Sequence, residues 1–539
     1  MPISAKPIPT PFGFWPSTAL SLASGVLYFL AFPGVDLWPL AFIALSPLVV
    51  ALEGQPPRMG LWLGWVAGFA MTMAGFYWLL EMLRVFSGFS TIPCVLFMSL
   101  LCAYQAGRMA LTGWLTARAA TRGWPPGLAF ALAFATGEYA FPLLFPWYYG
   151  ATVHNHAPLM QTAELGGPIL VGLVLVAANL AIAGALLARL RQAPQNWRRH
   201  LGLASLVALA WVFGAWRVES IEKRVQSAPK ARVGIVQANM SLYGKRHELE
   251  EGLRRHLHLT RQLNERHKLD LVVWSETSVM RPVEESQLAT EVPRAFSRKL
   301  GVPALVGSVL VRPVEDQRSY VFFNSALALD AAGNVTGRYD KTYLLAFGEY
   351  LPFGETFPVL YSWSPNSGHF SQGRSLEALK VAGHWVSTNI CYEDLIPAFI
   401  NKMLRHRDAQ LIVNMTNDAW FGDTLEPWQH LALAQFRAVE QRRFLIRSTN
   451  SGISAFVDPA GRVLAHTPAF EPAAVAHEIA WMHGKTVYRH VGDVPWMIAS
   501  LASVFIAFKR RRRLSSAPER NEPRPGPGEA ANQTGTLES

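Results

Sequence analysis

The sequence predicts a polytopic helical membrane domain of about eight spans, joined to one mixed α/β domain. Two observations carry that reading. Of 539 residues, 50% are hydrophobic and only 16% charged, against about 25% charged in an average soluble chain. The deficit is also uneven. Residues before about 217 are apolar with few charges, whereas 230–480 have the composition of a soluble domain.

A helix needs about 20 apolar residues to cross a bilayer core. Windows that meet or approach this fall at 15–32, 36–52, 59–80, 91–115, 125–147, 166–188 and 200–216, with an eighth at 494–508. Only the turn at Pro33-Gly34 separates the first two. A cleaved signal peptide is the rival reading of the first window, but its flank offers Lys6 alone and further apolar windows follow at once. Basic residues set the expected orientation. Alternate loops hold Arg58, then Arg118 and Arg122, then Arg189, Arg191, Arg198 and Arg199, and the last window ends on Lys509-Arg510-Arg511-Arg512-Arg513. The opposite loops are poor in basic residues, Arg84 beside Glu81 being the main exception. Both termini are therefore expected in the cytoplasm and the 230–480 block across the membrane. Much of the net charge of +11 is this fringe, so nothing points to nucleic acid. The tail after Arg513 lacks core-forming residues and is expected to be disordered.

Three charged or metal-like features remain. Arg108 and Glu138 lie inside apolar windows, where an unpaired charge is costly, so they are expected to pair or face a polar cavity. His154-Asn155-His156 resembles a metal site only weakly, since the nearby sequence lacks acidic ligands, and no metal or other cofactor is expected. Three cysteines argue against a disulfide scaffold. Cys94 and Cys102 share one apolar window and read as packing residues.

The soluble block alternates strands and helices. Strands are expected at Ala231–Met240, Leu269–Glu276, Pro303–Val311, Val321–Asp330, His384–Cys391 and Leu411–Asn417. Helices are expected at Glu248–His267, Gln287–Leu300, Leu395–Arg405 and, longest, Trp428–Ser448. Ile453–Asp458 begins a closing hairpin turned by Pro459-Ala460-Gly461.

Chemically marked residues fall at strand ends: Glu276, Cys391 and Asn417-Asp418. Sites in open α/β sheets form just beyond strand C-termini. A free thiol needs an adjacent base or positive charge to become a good nucleophile. Glu276, closing an apolar strand, is a candidate general base. Lys341 would stabilise an oxyanion and favour the thiolate, and Glu349 could orient Lys341 or share its proton. The residue types alone leave a plainer reading open, in which Cys391 is a buried hydrophobe, Glu276 surface and Lys341 solvated.

The segments WSE at 274–276, YDK at 339–341, FGEYLPF at 347–353 and CYE at 391–393 resemble the Glu-Lys-Cys signature of the nitrilase superfamily, whose fold is an α-β-β-α sandwich. NDAWFG at 417–422, PWQH at 427–430 and RSTNSGIS at 447–454, with several spans before the domain and one after, resemble the apolipoprotein N-acyltransferase family. The resemblance covers nearly all the chain to about residue 508. It implies that Glu276 is the general base, Lys341 the oxyanion-stabilising lysine and Cys391 the nucleophile. Glu349 would be a second essential glutamate, and Tyr392 and Glu393 supporting residues. It implies a ping-pong reaction, in which Cys391 takes an acyl chain from a phospholipid, typically phosphatidylethanolamine. The thioester then passes the acyl group to the α-amine of a lipoprotein's N-terminal diacylglyceryl cysteine. The setting implied is a bacterial inner membrane with the catalytic domain on the periplasmic side. The chain departs from the family in having Ser275 where Pro is frequent, Ala346 where Pro precedes Phe-Gly-Glu, and Tyr243 as the nearest aromatic to a missing family tryptophan.

The aromatic content fits a lipid substrate. Leu344–Phe370 holds Phe347, Tyr350, Phe353, Phe357, Tyr361, Trp363 and Phe370, and reads as a lid or membrane-dipping arm. Trp420, Phe421 and Trp428 form a second group, and such residues favour the bilayer interface. The plainer alternative is that they fill the domain core. Two other functions compete: a membrane-tethered amidase or nitrilase acting on a small C–N substrate, and a non-enzymatic scaffold or transporter. Eight spans exceed what a tether needs. The intact Glu-Lys-Cys set disfavours a degenerate domain, and the spans lack a transporter's paired interrupted helices.

Overall fold

The computed structural model describes residues 12–240, 249–296, 300–314, 320–364 and 367–511. Tyr243, Lys6 and the tail after Arg511 lie outside them. Nine principal helices come first: α1 (Phe14–Leu30), α2 (Ser46–Leu52), α3 (Pro57–Gly75), α4 (Leu79–Ser87), α5 (Thr91–Gln105), α6 (Gly107–Thr121), α7 (Pro126–Ala140), α8 (Ala163–Leu190) and α9 (Trp197–Ser227). Among the described residues, Thr91–Thr121, α8 and α9 are long and apolar enough to cross a membrane, and α3 with α4, bent by 67°, makes a fourth if counted as one span. Phe14–Leu30, Trp38–Leu52 and Val494–Phe508 are apolar but shorter. The window at 125–147 yields only the 15-residue α7, because Pro142 bars helical geometry at Phe141.

Close packing explains the glycines of α3. A Cβ at Gly64 would sit 2.1 Å from the Met109 carbonyl oxygen, and one at Gly60 would sit 2.5 Å from that of Gly113. This small-residue seam lets α3 and α6 approach where apolar burial supplies no drive. Arg108 of α6 pairs with Glu138 of α7 at 3.5 Å and donates to the Trp147 carbonyl at 2.7 Å, so the two charges in apolar windows answer each other. Cys94 and Cys102 are buried.

The second half is a sandwich of two sheets. The first contains β1 (Lys230–Gln237), β2 (Leu271–Trp274), β3 (Val279–Glu284), β4 (Ala304–Pro313), β5 (Tyr320–Leu329), β6 (Val335–Asp340) and, far along the chain, β13 (Ala473–Ala480). Its order is β13-β1-β2-β4-β5-β6, with β3 also on β4. The second sheet runs β12-β11-β10-β9-β8-β7, formed by β7 (Leu379–Val381), β8 (His384–Ile390), β9 (Leu411–Thr416), β10 (Phe444–Thr449), β11 (Ala455–Val457) and β12 (Val463–His466). Val233, Ile235, Leu271 and Val273 of the first sheet pack on Val386, Ile390, Val413 and Ile446 of the second. Helix α10 (Leu249–His267) covers the outer face of the first sheet; α11 (Pro397–His406) and α12 (Glu426–Gln441) cover that of the second. The layers are α-β-β-α, as the nitrilase resemblance implies. Helix α13 (Val494–Phe508) returns to pack on α6 and α7.

Two expected helices change. The helix expected at Trp428–Ser448 stops at Gln441, where Arg442 takes a left-handed φ of 51°, and the remainder becomes β10, buried between β9 and β11. A segment buried on every side has no polar stripe, so periodicity cannot separate helix from strand. The helix expected at Gln287–Leu300 is reduced to Glu291–Phe296 after a 3₁₀ turn at Glu285–Gln287, and 297–299 lie outside the described residues.

Helix α12 also joins the halves. Gln429 accepts from the Trp78 indole at 3.1 Å and donates to the Gly75 carbonyl at 2.9 Å. Gln435 contacts His154, whose other ring nitrogen lies 2.8 Å from Asp36. An acidic partner therefore does stand beside His154, contrary to expectation, brought there by the turn after α1. His156 instead stacks on Trp38 and accepts from Trp211.

Candidate active site

Glu276 follows β2, Lys341 follows β6 and Cys391 follows β8. Strand order brings together residues that are 50 or more positions apart. All three are buried, with Glu349 beside them. Lys341 Nζ lies 2.7 Å from Glu349 Oε2 and 3.5 Å from Glu276 Oε1. One residue unmarked in the sequence completes the group: Asn324 of β5 donates its amide to Glu276 Oε1 at 2.6 Å and to Glu349 Oε1 at 2.7 Å. The Leu345 N–H donates to Glu349 Oε2 at 2.8 Å. Both carboxylates are thus held by donors as well as by the ammonium.

Gly307 of β4 makes room for Glu276. A Cβ there would lie 2.5 Å from both the Ser275 carbonyl oxygen and the Thr277 nitrogen, so the chain carrying Glu276 runs directly over this glycine.

Cys391 opens a 3₁₀ turn, Cys391–Leu395, at φ 53°, a strained conformation for a side-chain-bearing residue. Neighbours hold it there. Asn414 donates to the Cys391 carbonyl at 2.9 Å. Glu393 accepts from the Ile390, Thr342 and Tyr343 backbone N–H groups and from the Tyr339 hydroxyl, at 2.6–3.0 Å. This one buried carboxylate ties the chain after Lys341 to the turn that carries the thiol. The Tyr392 hydroxyl donates to the Leu144 carbonyl at 3.0 Å, anchoring the turn to the helical half.

Burial pushes the Cys391 thiol up to about 12; Lys341 opposes this and Glu276 adds to it. Burial alone would depress the Lys341 ammonium, but Glu349 and then Glu276 hold it above the ordinary lysine range. Burial also lifts Glu393 to about 7, against its backbone donors. The site therefore sets a thiol beside a lysine held by two glutamates. Such a set can take a proton from the thiol as it attacks and stabilise an oxyanion beside it.

Behind the turn lies a second buried cluster. His430 Nε2 is 2.8 Å from Asp394 Oδ1, and its Nδ1 is 3.5 Å from Glu426 Oε1 and 3.6 Å from Asp418 Oδ1. Arg447 donates to both Asp418 oxygens at 2.9–3.0 Å and to Asn414 at 3.1 Å. The ligand atoms of Asp418, Glu426 and His430 lie within 4.8 Å of one another, a spacing a metal could use. Both Asp418 oxygens are already taken by the Arg447 guanidinium, so that carboxylate answers a side-chain cation rather than a metal.

The aromatic residues separate into two kinds. Phe357 and Trp363 are exposed, at 56% and 58%, on the segment whose Ser364 hydroxyl meets the Phe86 carbonyl of α4. Trp420 stacks on Phe86 at 4.7 Å, and Phe421 is buried edge-on against Trp78 at 5.2 Å. Trp428 is partly exposed beside His466. Phe421 therefore fills the core between the halves, while Phe357 and Trp363 do not. Asn324, Asp394, His430 and Arg447 were missed as individual site residues; the motifs at 417–454 hinted at the last two, whereas an Asn in an apolar strand was the one local sign of Asn324.

Comparison with known proteins matches residues 232–480 to the carbon-nitrogen hydrolase family and 24–181 to the apolipoprotein N-acyltransferase N-terminal domain. An apolipoprotein N-acyltransferase of Azotobacter vinelandii is 34% identical over 524 residues, covering 94% of this chain and 97% of the relative. That of Geobacter metallireducens is 30% identical over 503 residues, covering 92% and 95%. Among solved structures, Saccharomyces cerevisiae Nit3, of the nitrilase superfamily, aligns with 49% of this chain and 94% of its own at 16% identity and TM-score 0.36. The Nesterenkonia AN1 amidase aligns with 50% and 98% at 19% identity and TM-score 0.35.

Proposed function

The chain belongs to the apolipoprotein N-acyltransferase family, and from that premise we propose that Cys391 carries the acyl group in transit. The carrying observation is the convergence of Glu276, Lys341 and Glu349 around the strained cysteine turn. The sulfur attacks an ester carbonyl of a phospholipid, with phosphatidylethanolamine the expected donor, and Glu276 takes the thiol proton. Lys341 faces the oxyanion, held by Glu349. Collapse breaks the ester C–O bond, and lysophospholipid leaves with the proton from Glu276. The α-amine of a diacylglyceryl cysteine at a lipoprotein's N-terminus then attacks the thioester. Glu276 accepts the amine proton and returns it to the departing thiolate.

The same reading places residues 1–217 and 494–508 in a bacterial inner membrane as about eight spans. The 230–480 domain faces the periplasm, and both termini, including 509–539, lie in the cytoplasm. The basic loops support this orientation. The exposed Phe357 and Trp363, on the segment that meets α4, suit a lipid entry face. Replacing both with Ser should slow acylation of Cys391 from vesicles while leaving the fold intact.

The decisive experiment incubates the protein with phosphatidylethanolamine and seeks a thioester on Cys391 by intact mass, then adds a diacylated lipopeptide. Absence of the adduct, or its persistence in Cys391→Ala, would defeat the reading. Turnover of a small amide instead would favour a membrane-tethered amidase.

A further inference from the structure

Three sequence motifs converge on one place that the reaction scheme above does not use. Asp418 comes from NDAWFG, His430 from PWQH with Glu426 just before it, and Arg447 from RSTNSGIS. With Asp394, which lies in the nucleophile's own 3₁₀ turn, they form the cluster behind Cys391. Every member is buried, from fully for Asp394, Asp418 and Arg447 to 6% exposed for Glu426.

The cluster is wired to the nucleophile in two ways. Arg447 donates to Asn414, and Asn414 donates in turn to the Cys391 carbonyl. Asp394, three residues beyond the cysteine, is held by His430 at 2.8 Å and by Arg447 at 3.5 Å. The carbonyl and the far end of the strained turn are therefore clamped from the same cluster.

The charges make the state of His430 matter. In front of the sulfur, the Lys341 ammonium is shared between Glu276 and Glu349, which spends part of its charge on those acids. Behind it, Asp394, Asp418 and Glu426 face Arg447 and His430. Without a charge on the imidazole, three acids would oppose a single guanidinium, and the side behind the sulfur would be net negative. The His430 Nδ1 lies 3.5 Å from Glu426 and 3.6 Å from Asp418, with no nearer hydrogen-bond partner among the described residues, so an N–H there faces the Asp418 carboxylate.

We propose that His430 is a positioning residue, carried as an imidazolium between Asp394, Asp418 and Glu426, which clamps the cysteine turn with Arg447 and supplies the positive charge behind Cys391 that makes its thiolate reachable. Supporting this, burial and Arg447 oppose the charge on His430, but Asp394 and Asp418 outweigh them and hold the imidazole well above the ordinary histidine range. His430 is also, after Lys341, a charge that lowers the Cys391 thiol. Burial and Asp418 push the Glu426 carboxyl up to about 7, so near neutrality the cluster approaches charge balance only with the imidazolium present.

The proposal rests on Cys391 being the nucleophile, and the test separates the two. Full-length wild type and His430→Gln in detergent are alkylated with iodoacetamide across pH 6–10, and the rate at Cys391 is read by peptide mass; acylation by phosphatidylethanolamine is followed in parallel. With the thiol pushed up to about 12, this range lies below the midpoint, so His430→Gln should cut the alkylation rate about tenfold or more at each pH, the equivalent of an upward shift of about one pH unit, and slow acylation about tenfold at pH 7.5. A merely structural histidine would lower the thermal midpoint but leave the pH curve of the folded fraction where it was, which would overturn the proposal. Wild type that alkylates nowhere and forms no thioester would remove the nucleophile assignment and this proposal with it. Should His430→Gln fail to fold, exchange of the histidine C2 hydrogen in wild type decides. A His430 midpoint above pH 8 supports the proposal, and one near the ordinary value of about 6.5 overturns it.

Discussion

Asn324→Leu isolates the least expected part of the front site. Leu keeps the branch at Cγ but is the bulkier side chain, so the change chiefly removes the amide bridge, with some added volume. Two hydrogen bonds to carboxylates are lost, those to Glu276 at 2.6 Å and Glu349 at 2.7 Å, each worth about 1.5–3 kcal/mol. Against this, the Asn324 Oδ1 is buried without a partner, and removing it recovers about 1–3 kcal/mol. The net loss is on the order of 2–3 kcal/mol, since Lys341 still pairs with both acids. The part expressed in the transition state should slow Cys391 acylation about 10- to 100-fold, or about 1.4–2.7 kcal/mol. A carboxylate with fewer donors takes up its proton at higher pH, so the acid-side fall in activity should move upward by about one pH unit. Single-turnover acylation in mixed micelles, read by intact mass across pH, measures both effects. Asn324→Ala leaves space for a bridging water and should fall between wild type and Leu. If the Leu variant acylates within about twofold of wild type with an unmoved acid limb, the bridge is not what positions the base.

Three further outcomes follow from the geometry. Gly307→Ala places a methyl group 2.5 Å from backbone atoms on both sides of Glu276; overpacking of this kind costs about 1–3 kcal/mol, and acylation should fall at least as far as thermal stability, with an unchanged rate being the contrary result. Arg442→Met deletes bonds to Glu164 of α8 and to Gln161 just before it, which join the sandwich to the helical half, and one to the Pro459 carbonyl within the sandwich. Glu164 keeps Arg217, so the loss should be about 1–3 kcal/mol in a detergent melt, and one below about 0.5 kcal/mol would show that the junction holds without it. Burial lifts the Glu440 carboxyl to about 8, against the pull of Arg437. A folded value above the unfolded one contributes stability below about pH 4.5 that is lost as pH rises through about 8. Wild type should therefore lose on the order of 3–5 kcal/mol relative to Glu440→Gln between pH 5 and 9. Parallel melting curves for the two proteins would contradict this.

The proposed reacting groups were legible through the motifs that carry the family resemblance, since residue type and strand-end position alone left a plainer reading open. Glu276, Lys341 and Cys391 each end a strand, and the apolar windows before 217 declare themselves through composition. The sandwich was legible less directly, through the family resemblance. The turn from α12 to β10 was not, because a segment buried on all sides carries no periodic signal, and only Arg442 in a left-handed conformation marks the break. Asn324 was illegible for a related reason. One polar residue inside an apolar strand looks like an interruption until strand order places two carboxylates within reach of its amide.

Sequence alone therefore determined which side chains could react and which stretches avoid water, both being local properties of residue and neighbourhood. Tertiary structure alone decided the distances: which carboxylates face the lysine, that Gly307 runs beneath Glu276, and that acids and bases from three separate motifs meet behind the cysteine. Those distances follow from strand order and register, which arise from how two sheets share one core, and no local stretch of chain encodes them.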